Sequence, residues 1–276
     1  MHRSNKQTGA IGMHPRGKSE GRRPRDAMIG TASWSIASRD AAAFPAEGTS
    51  LERYSRIFDA VEVNSSFYRA HRPSTWQKWA ASTPESFRFS VKVPRTITHH
   101  AKLIDVDPLI TRFAGEVTEL GSKLAVLLVQ LPPSLRYDAS VANRFFTKLR
   151  EAIDAEIACE PRNATWFTDE ADAALDRLQI ARAGADPAPV AAAAAPGGWR
   201  GLTYWRLHGS PVMYHSMYSA QAIALCAERL RAETDRGITP WCIFDNTAAF
   251  AATGNALSLM ELLHSGPSDQ NEHQRR

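Results

Sequence analysis

The fold is first indicated by the stretch LAVLLVQ at residues 124–130, in which six apolar residues are followed by one polar side chain. An apolar run of this length, closed by Pro132 and Pro133, predicts a strand that is buried on both faces. Gln130 would be costly in the middle of such a strand. The stretch therefore predicts a parallel strand whose carboxyl end opens on a polar site.

Four other segments of the chain have the same form, with an apolar body and a polar end. They are VEVN at 61–64, FSVK at 89–92, IACEPR at 157–162 and YWRLH at 204–208. The carboxyl ends of parallel strands lie at one edge of a sheet or barrel. We therefore expect the polar ends of these five segments to converge on one pocket.

Helical patterns separate these strands, so the chain predicts right-handed βαβ units. Eight candidate strands favour an α/β fold, a single-domain (β/α)8 TIM barrel with an irregular region around strand 6. A doubly wound open sheet is the alternative, but the first βα turn has no G-x-G-x-x-G sequence. The expected elements include a first strand at 28–34, a helix capped by Ser74, a weak strand at 180–185, a loop at 186–198 and a last helix at 256–264.

Charge is unevenly distributed along the chain. Residues 1–27 contain seven basic and two acidic residues, whereas the whole chain has a net charge of +4, which leaves −1 on residues 28–276. We interpret 1–27 as a disordered basic leader or a misassigned start with translation beginning at Met28, 28–264 as the barrel domain and 265–276 as a disordered tail. The near-neutral body makes nucleic acid a less favoured partner than a small anionic molecule.

Composition also predicts the compartment. No apolar stretch is long enough to span a bilayer, so no membrane association is expected. Three scattered cysteines, Cys159, Cys226 and Cys242, have no metal-binding spacing and indicate reduced thiols in a cytoplasmic protein. The sequence does not predict an oligomeric state.

Six motifs occur in a characteristic order: IGTASWS at 29–35, FDAVEVNSSFY at 58–68, FRFSVKVP at 87–94, LLVQLPPS at 127–134, CEPRNATWF at 159–167 and YWRLHG at 204–209. Together they resemble the YecE-like family, whose members are TIM-barrel proteins described as a domain of unknown function. The resemblance extends from about residue 28 to 264. It implies a barrel but no particular reaction, and Asp245-Asn246 stands where the family usually has two asparagines.

The candidate site is the set of polar side chains at or just beyond the predicted strand ends. The candidate catalytic residues are Glu62, Lys92, Glu160 and His208, and the candidate substrate-binding residues are Trp34, Asn64, Tyr68, His99, Gln130, Arg162, Arg206, Asp245 and Asn246. One interpretation is a buried ionic network in which three carboxylates neutralise three cations. The other is that some cations bind an anionic ligand, since Arg offers a planar fork and Lys a point charge, an acid or a Schiff-base amine.

Acid/base chemistry is the expected chemistry of such a site. Two carboxylates in unlike surroundings can divide into an acid and a base, and His208 titrates near neutral pH. We expect no metal and no other cofactor, because there is no paired metal-binding motif and three cations would repel a divalent ion.

Three functions remain open from the sequence. The favoured one is a metal-independent isomerase, lyase or hydrolase acting on a sugar phosphate, nucleotide phosphate or hydroxy acid. The alternatives are a nucleic-acid-processing or nucleic-acid-binding protein and a small-molecule-binding protein without turnover.

Overall fold

The computed structural model describes residues 27–265, so the leader predicted at 1–27 and the tail predicted at 265–276 lie outside the described residues except for Ala27 and Ser265. Its strands are β1 (Met28–Thr31), β2 (Ala60–Val63), β3 (Arg88–Lys92), β4 (Leu124–Gln130), β5 (Glu156–Glu160), β6 (Ile180–Arg182), β7 (Gly184–Asp186), β8 (Gly197–Gly198), β9 (Thr203–Leu207) and β10 (Pro240–Phe244). Its α-helices are α1 (Ser50–Ser55), α2 (Pro73–Ala81), α3 (Asp107–Val117), α4 (Ala139–Ala152), α5 (Asp169–Arg177), α6 (Ala220–Asp235) and α7 (Ala251–His264).

The described strands form two hydrogen-bonded sheets in a mixed α/β domain. One sheet has the order β1-β10-β9-β7 and the other β2-β3-β4-β5-β6-β8. All pairs are parallel except β6 with β8, which is antiparallel. β6 and β7 are separated only by Ala183, so one stretch of chain takes part in both sheets. The two ladders do not join into one closed ring, and a complete (β/α)8 barrel is therefore not confirmed.

A tyrosine hydroxyl connects the two sheets between β1 and β2. Tyr54 accepts a hydrogen bond from the Thr31 backbone N–H at 2.8 Å and donates one to the Ala60 carbonyl at 3.1 Å. The two strands are close enough that a Cβ on Gly30 would lie 2.2 Å from the Ala60 carbonyl oxygen. The Tyr54 side chain of α1 thus makes the hydrogen bonds to these backbone groups that direct pairing of β1 with β2 would otherwise make.

The two faces of the sheets bury different sets of residues. One face packs against the helices and contributes Val61, Val91 and Leu127 to the larger apolar cluster. On the other face, both sheets contribute to a smaller inner cluster, which includes Ala60, Leu128, Ala158, Tyr204 and Ile243. Because successive strand residues alternate between faces, the next inward positions toward the carboxyl ends carry the polar residues.

Several element boundaries differ from those predicted. α7 begins at Ala251, five residues earlier than predicted, because buried Asn255 is fixed by hydrogen bonds with the Tyr218 backbone and Asn246. α2 begins at Pro73 rather than after a Ser74 cap, since proline is well suited to a first helical turn.

The irregular region also differs in detail from its prediction. The weak strand expected at 180–185 is divided into β6 and β7, and the expected loop contains β8 and a short 3-10 helix at Ala191–Ala194. β8 pairs with β6 through Gly197 and Gly198, where a Cβ on either residue would clash with its surroundings. Within residues 27–265, none of the helices combines the length and apolar character needed to cross a bilayer.

Candidate functional site

Arg206 lies at the centre of the polar cluster and is completely buried. It projects inward from β9 and contacts Glu62 with two nitrogens, Nε to Oε2 at 3.0 Å and Nη2 to Oε1 at 2.6 Å. Nη1 donates to Glu160 Oε2 at 2.6 Å, and Nη2 also donates to Asp245 Oδ2 at 3.1 Å. One guanidinium therefore joins carboxylates from β2, from the end of β5 and from the residue after β10.

His208 is held between two of the same carboxylates. Its Nδ1 lies 2.9 Å from Asp245 Oδ2 and its Nε2 lies 3.0 Å from Glu160 Oε1. Burial lowers the pKa of His208, but Glu160 and Asp245 outweigh that effect and raise its pKa above the usual value. The imidazole is thus stabilised in its doubly protonated form, with both N–H groups donating.

Both oxygens of Glu160 are fully engaged. Oε1 accepts from His208 and, at 3.4 Å, from Arg162 Nη2, while Oε2 accepts from Arg206 and from Gln130 Nε2 at 2.9 Å. Burial acts to raise the pKa of this carboxyl, but the charges of Arg206 and His208 hold it well below the usual value. Glu160 therefore stays ionised and has little capacity to exchange a proton near neutral pH.

Lys92 differs from its neighbours, since its amine makes no hydrogen bond or ion pair with any described residue. The residue is 4% exposed, at the carboxyl end of β3, and its Nζ lies 4.2 Å from the centre of the Phe67 ring. Burial and then the charge of Arg206 lower the pKa of Lys92 to about 8, against the raising effect of nearby carboxylates. An appreciable fraction of this amine is neutral at physiological pH.

Arg162 lies at the edge of the cluster and faces a cavity. Its side chain is 23% exposed, and Nη2 donates to the Tyr214 hydroxyl at 3.2 Å. The Arg162 cavity has a volume of about 440 Å³ and is lined by Pro133, Glu160, Arg162, Ala185, Pro187, Ala188, Pro189, His208 and Met213. Glu160, Arg162 and His208 are thus the members of the ionic network that border this cavity.

Three predicted binding residues are amides with different surroundings. Gln130 belongs to the network through Glu160. Asn64, directly after β2, has a buried Oδ1 without a partner among the described residues. Asn246 is fully buried and donates to the Ser216 carbonyl and to Asn255, so it fixes the loop that follows β9 against α7.

The remaining predicted residues lie away from the direct contacts of the network. Trp34 packs edge-on against Trp79, with ring centres 4.9 Å apart. Tyr68 is 67% exposed and borders a different cavity of about 210 Å³. His99 contacts the Phe67 ring edge-on and bonds Thr98 Oγ1, and burial together with Lys92 lowers its pKa to about 4. The functional roles of all these residues remain predictions.

Two tyrosines of the site were not among the predicted residues. The Tyr204 hydroxyl lies 3.0 Å from Glu62 Oε2 and 2.7 Å from Ser90 Oγ, beneath Arg206. Its position two residues before Arg206 places it on the same strand face, which is a signal that the sequence does contain. Tyr214 contacts Arg162 and packs edge-on against His208, but it lies in a loop without periodicity.

Tyr214 also has an unusual backbone. Its φ of +67° is in the left-handed region, where side chains other than glycine are strained. The loop at 209–218 therefore holds this tyrosine against the cluster at a conformational cost.

Among residues 27–265, no group of three or more His, Cys, Asp or Glu side chains is arranged to hold a metal ion. The position between Glu62, Glu160 and Asp245 belongs to the Arg206 guanidinium.

Comparison with curated proteins gives partial matches. The chain is 38% identical to the UPF0759 protein YecE of Escherichia coli K12 over 84 residues, which is 30% of this chain and 31% of that protein. It is 30% identical to the UPF0759 protein YunF of Bacillus subtilis 168 over 126 residues, which is 43% of this chain and 44% of that protein. The matched segments thus span less than half the length of either relative.

Solved structures match over much more of the chain. A DUF72 family protein from Enterococcus faecalis V583 superposes with a TM-score of 0.72 at 21% identity, covering 86% of this chain and 95% of that one. A DUF72 family protein from Thermotoga maritima MSB8 gives 0.69 at 22% identity, covering 87% and 100%. At these identities the likeness is one of fold.

The family model described as "Protein of unknown function DUF72" matches residues 28–276, which is nearly the whole chain. This match, the UPF0759 relatives and the shared fold agree with the ordered motifs of the sequence. The chain therefore belongs to the DUF72 family, which includes the YecE-like proteins.

Proposed function

We propose that this protein is a metal-independent enzyme that acts on a small anionic substrate by acid/base chemistry at the carboxyl ends of its strands. The observation that carries the proposal is the difference between saturated and open groups in one buried cluster. Arg206 donates four hydrogen bonds and Glu160 accepts four from protein partners, whereas the Lys92 amine makes none with a described residue. A purely structural network would leave no such amine in its interior.

The saturated residues act as a scaffold in this proposal. Arg206 fixes three carboxylates, and two of these hold His208 as a donor. This assigns Arg206 a positioning role rather than direct contact with substrate. Glu62 lies at the bottom of the network against Tyr204 and has the same role.

The open groups are the proposed contacts with substrate. Arg162 faces its cavity and would hold a carboxylate or phosphate. The Tyr214 hydroxyl would either leave Arg162 or donate a hydrogen bond to the same anion. Lys92 and the Oδ1 atom of Asp245, which has no hydrogen-bond partner among the described residues, would move protons. The acidic groups that neutralise the other cations favour a small anion over a nucleic acid backbone.

The architecture supports this location for the site. We propose that the two sheets act as one interrupted barrel, joined through β6 and β7 on one side and through the Tyr54 hydroxyl on the other. In a barrel the carboxyl ends of strands form the functional face. Free, buried thiols at all three cysteines support a cytoplasmic place of action.

A ligand-stabilisation screen tests the proposal. Sugar phosphates, nucleoside monophosphates, hydroxy acids and oxo acids are added to the wild type, to Arg162→Gln and to Arg236→Gln. Arg236 is a matched control because it is an exposed arginine whose side chain makes a 4.0 Å contact to Glu233. We expect at least one compound class to raise the Tm of the wild type and the control, with an effect of about 2.7 kcal/mol at a hundredfold excess over Kd.

The same compounds should leave the Tm of Arg162→Gln unchanged. Products are then sought by mass spectrometry for each stabilising compound. Stabilisation that persists in Arg162→Gln, or no stabilisation by any class, would contradict the proposed anion site. Salt-sensitive binding of an oligonucleotide in place of small anions would favour the nucleic-acid alternative.

A further inference from the structure

Two buried lysines of this fold have opposite environments. Lys123 is 7% exposed, and its amine donates to the Ala80 carbonyl at 2.6 Å, the Thr83 carbonyl at 2.7 Å and the Thr83 hydroxyl at 3.3 Å. A buried ammonium group that is charged for structural reasons is normally satisfied in this way. Lys92 is at least as buried and has no such acceptor among the described residues.

The surroundings of Lys92 give its amine no hydrogen-bond acceptor among the described residues. Its Nζ lies over the Phe67 ring, a cation–π contact that favours the charged form weakly, and its own backbone carbonyl accepts from Ser66 Oγ. The nearest oppositely charged groups are already bonded to Arg206 and His208. Burial and Arg206 together lower the pKa of the amine to about 8. Desolvation beside a fixed cation is the arrangement that activates a lysine as a nucleophile.

We propose that Lys92 is the nucleophile of this site and forms an imine with a small carbonyl compound that carries a carboxylate or phosphate. This inference rests on the function proposed above and names its substrate class. Arg162 supplies the contact for the acid group, at the same end of the strands. The geometry that points to this step is a lysine, 4% exposed, whose amine has no hydrogen bond or ion pair among the described residues, beside charged groups that have several.

The step is balanced without an additional reagent. The lone pair of the neutral amine forms a bond to the carbonyl carbon, and the C=O π electrons move to oxygen. One amine proton passes to that oxygen to give a carbinolamine. The second amine proton and the hydroxyl group then leave as water, so that amine and carbonyl become imine and one water.

One group of the cluster fits the proton transfers. Asp245 Oδ1 has no hydrogen-bond partner among the described residues, so this oxygen can take a proton from the attacking nitrogen and return it to the oxygen that leaves as water. His208 keeps both N–H groups on Glu160 and Asp245 and positions the Asp245 carboxylate. The transfer requires neither Arg206 nor Glu160 to change protonation.

Reductive trapping tests the inference on the full-length protein. Pyruvate, 2-oxoglutarate and dihydroxyacetone phosphate are each incubated with the protein and sodium cyanoborohydride, which delivers hydride to an imine carbon and gives a stable secondary amine. Lactate, which has no carbonyl group to condense with an amine, is the control compound. Peptide mass spectrometry then locates and quantifies the adducts.

We expect at least one carbonyl probe to label Lys92 roughly tenfold or more above Lys123, because three oxygen acceptors hold the Lys123 amine and none holds that of Lys92 among the described residues. Lys92→Met should lose this adduct, while Lys78→Met, which changes an exposed lysine, should keep it. Labelling at Lys92 should also rise between pH 7 and pH 9. No adduct at Lys92 with any of the three probes would overturn the inference.

Failure of the imine is distinguishable from failure of the proposed function. Tm shifts are recorded on the same samples without reductant. An Arg162-dependent shift without an adduct at Lys92 overturns the imine and leaves the anion site intact. If no compound of the wider screen stabilises the wild type, the proposed function fails, and imine formation as its chemistry fails with it.

Discussion

At the scale of single residues, the site is explained by which polar atoms are already bonded. Arg206 and Glu160 illustrate one extreme, since each makes four hydrogen bonds with protein groups. Lys92 illustrates the other. Buried ions are tolerated when they are paired and become costly when they are not, so the unpaired amine is the residue whose retention calls for a functional explanation.

Replacing Arg206 should be strongly destabilising. Arg206→Met leaves three buried carboxylates without their common partner, and we expect a loss of about 3–5 kcal/mol in the free energy of unfolding. Arg162→Met is the control, because that side chain is partly exposed, and it should cost about 1 kcal/mol or less. Urea denaturation at pH 7 measures both. Equal effects of the two substitutions would contradict the assignment of Arg206 as the organising cation.

Replacing Lys92 should increase the free energy of unfolding, in contrast to replacing Arg206. Its folded-state pKa is about 8, below the usual 10.5, so between these values the unfolded chain binds more protons and stability rises with pH. Lys92→Met removes the buried charge and should raise the free energy of unfolding by about 1–3 kcal/mol below pH 8. The gain should shrink as pH rises above 8. Destabilisation at pH 7 would mean that the amine has partners.

His208 should contribute a stability that depends on pH in the other direction. Its folded-state pKa is raised, so its contribution is complete below the unfolded value of about 6.5 and is lost as pH rises through the folded value. Compared with His208→Asn, the wild type should therefore lose its advantage on going from pH 6 to pH 9. Denaturation curves of both proteins test this, with His215→Asn, an exposed histidine, as control. A constant difference across this range would contradict protonation of His208.

At the scale of elements, the contact between β1 and β2 depends on the Tyr54 hydroxyl. Tyr54→Phe removes bonds to the Thr31 backbone, the Thr31 side chain and the Ala60 carbonyl, and should cost about 1–3 kcal/mol. Tyr137→Phe is a matched control, because the Tyr137 hydroxyl is buried without a partner among the described residues. It should be neutral or stabilising. Thermal and urea denaturation measure the stability of both variants. Similar losses in Tyr54→Phe and Tyr137→Phe would show that the Tyr54 hydroxyl does not join the strands.

The convergence of polar residues at the strand ends was predictable from local patterns. The apolar run before Glu160 becomes β5, and α5 and α6 begin after Thr168 and Ser219, whose side chains accept hydrogen bonds from the first turn of each helix. Alternation along 204–208 predicts that Arg206 and His208 lie on one face of the strand. β8 could not be predicted in this way, because its two glycines lie in an Ala- and Pro-rich stretch without periodicity.

At the scale of the whole molecule, the pairing within the site was not predictable from sequence. Glu62 and Arg206 are 144 residues apart, and their bidentate contact depends on how the two sheets face each other. The sequence left an ion network and free anion-binding cations as alternatives. The structure contains both kinds of group, since Arg206 is paired and Lys92 is not. Which cation is paired depends on distances between side chains of different strands on the inner face of the two sheets. No local sequence pattern determines these distances.

The most direct test of this account is the titration of the Lys92 amine. NMR of protein labelled with 13C at lysine Cε, with Lys92→Met to assign the signal, reports its midpoint in the intact fold. We expect a midpoint of about 8, well below the ordinary lysine value of 10.5. A midpoint at the ordinary lysine value of 10.5 would show that the amine is hydrated or paired, and would contradict its place as the reactive group of this site.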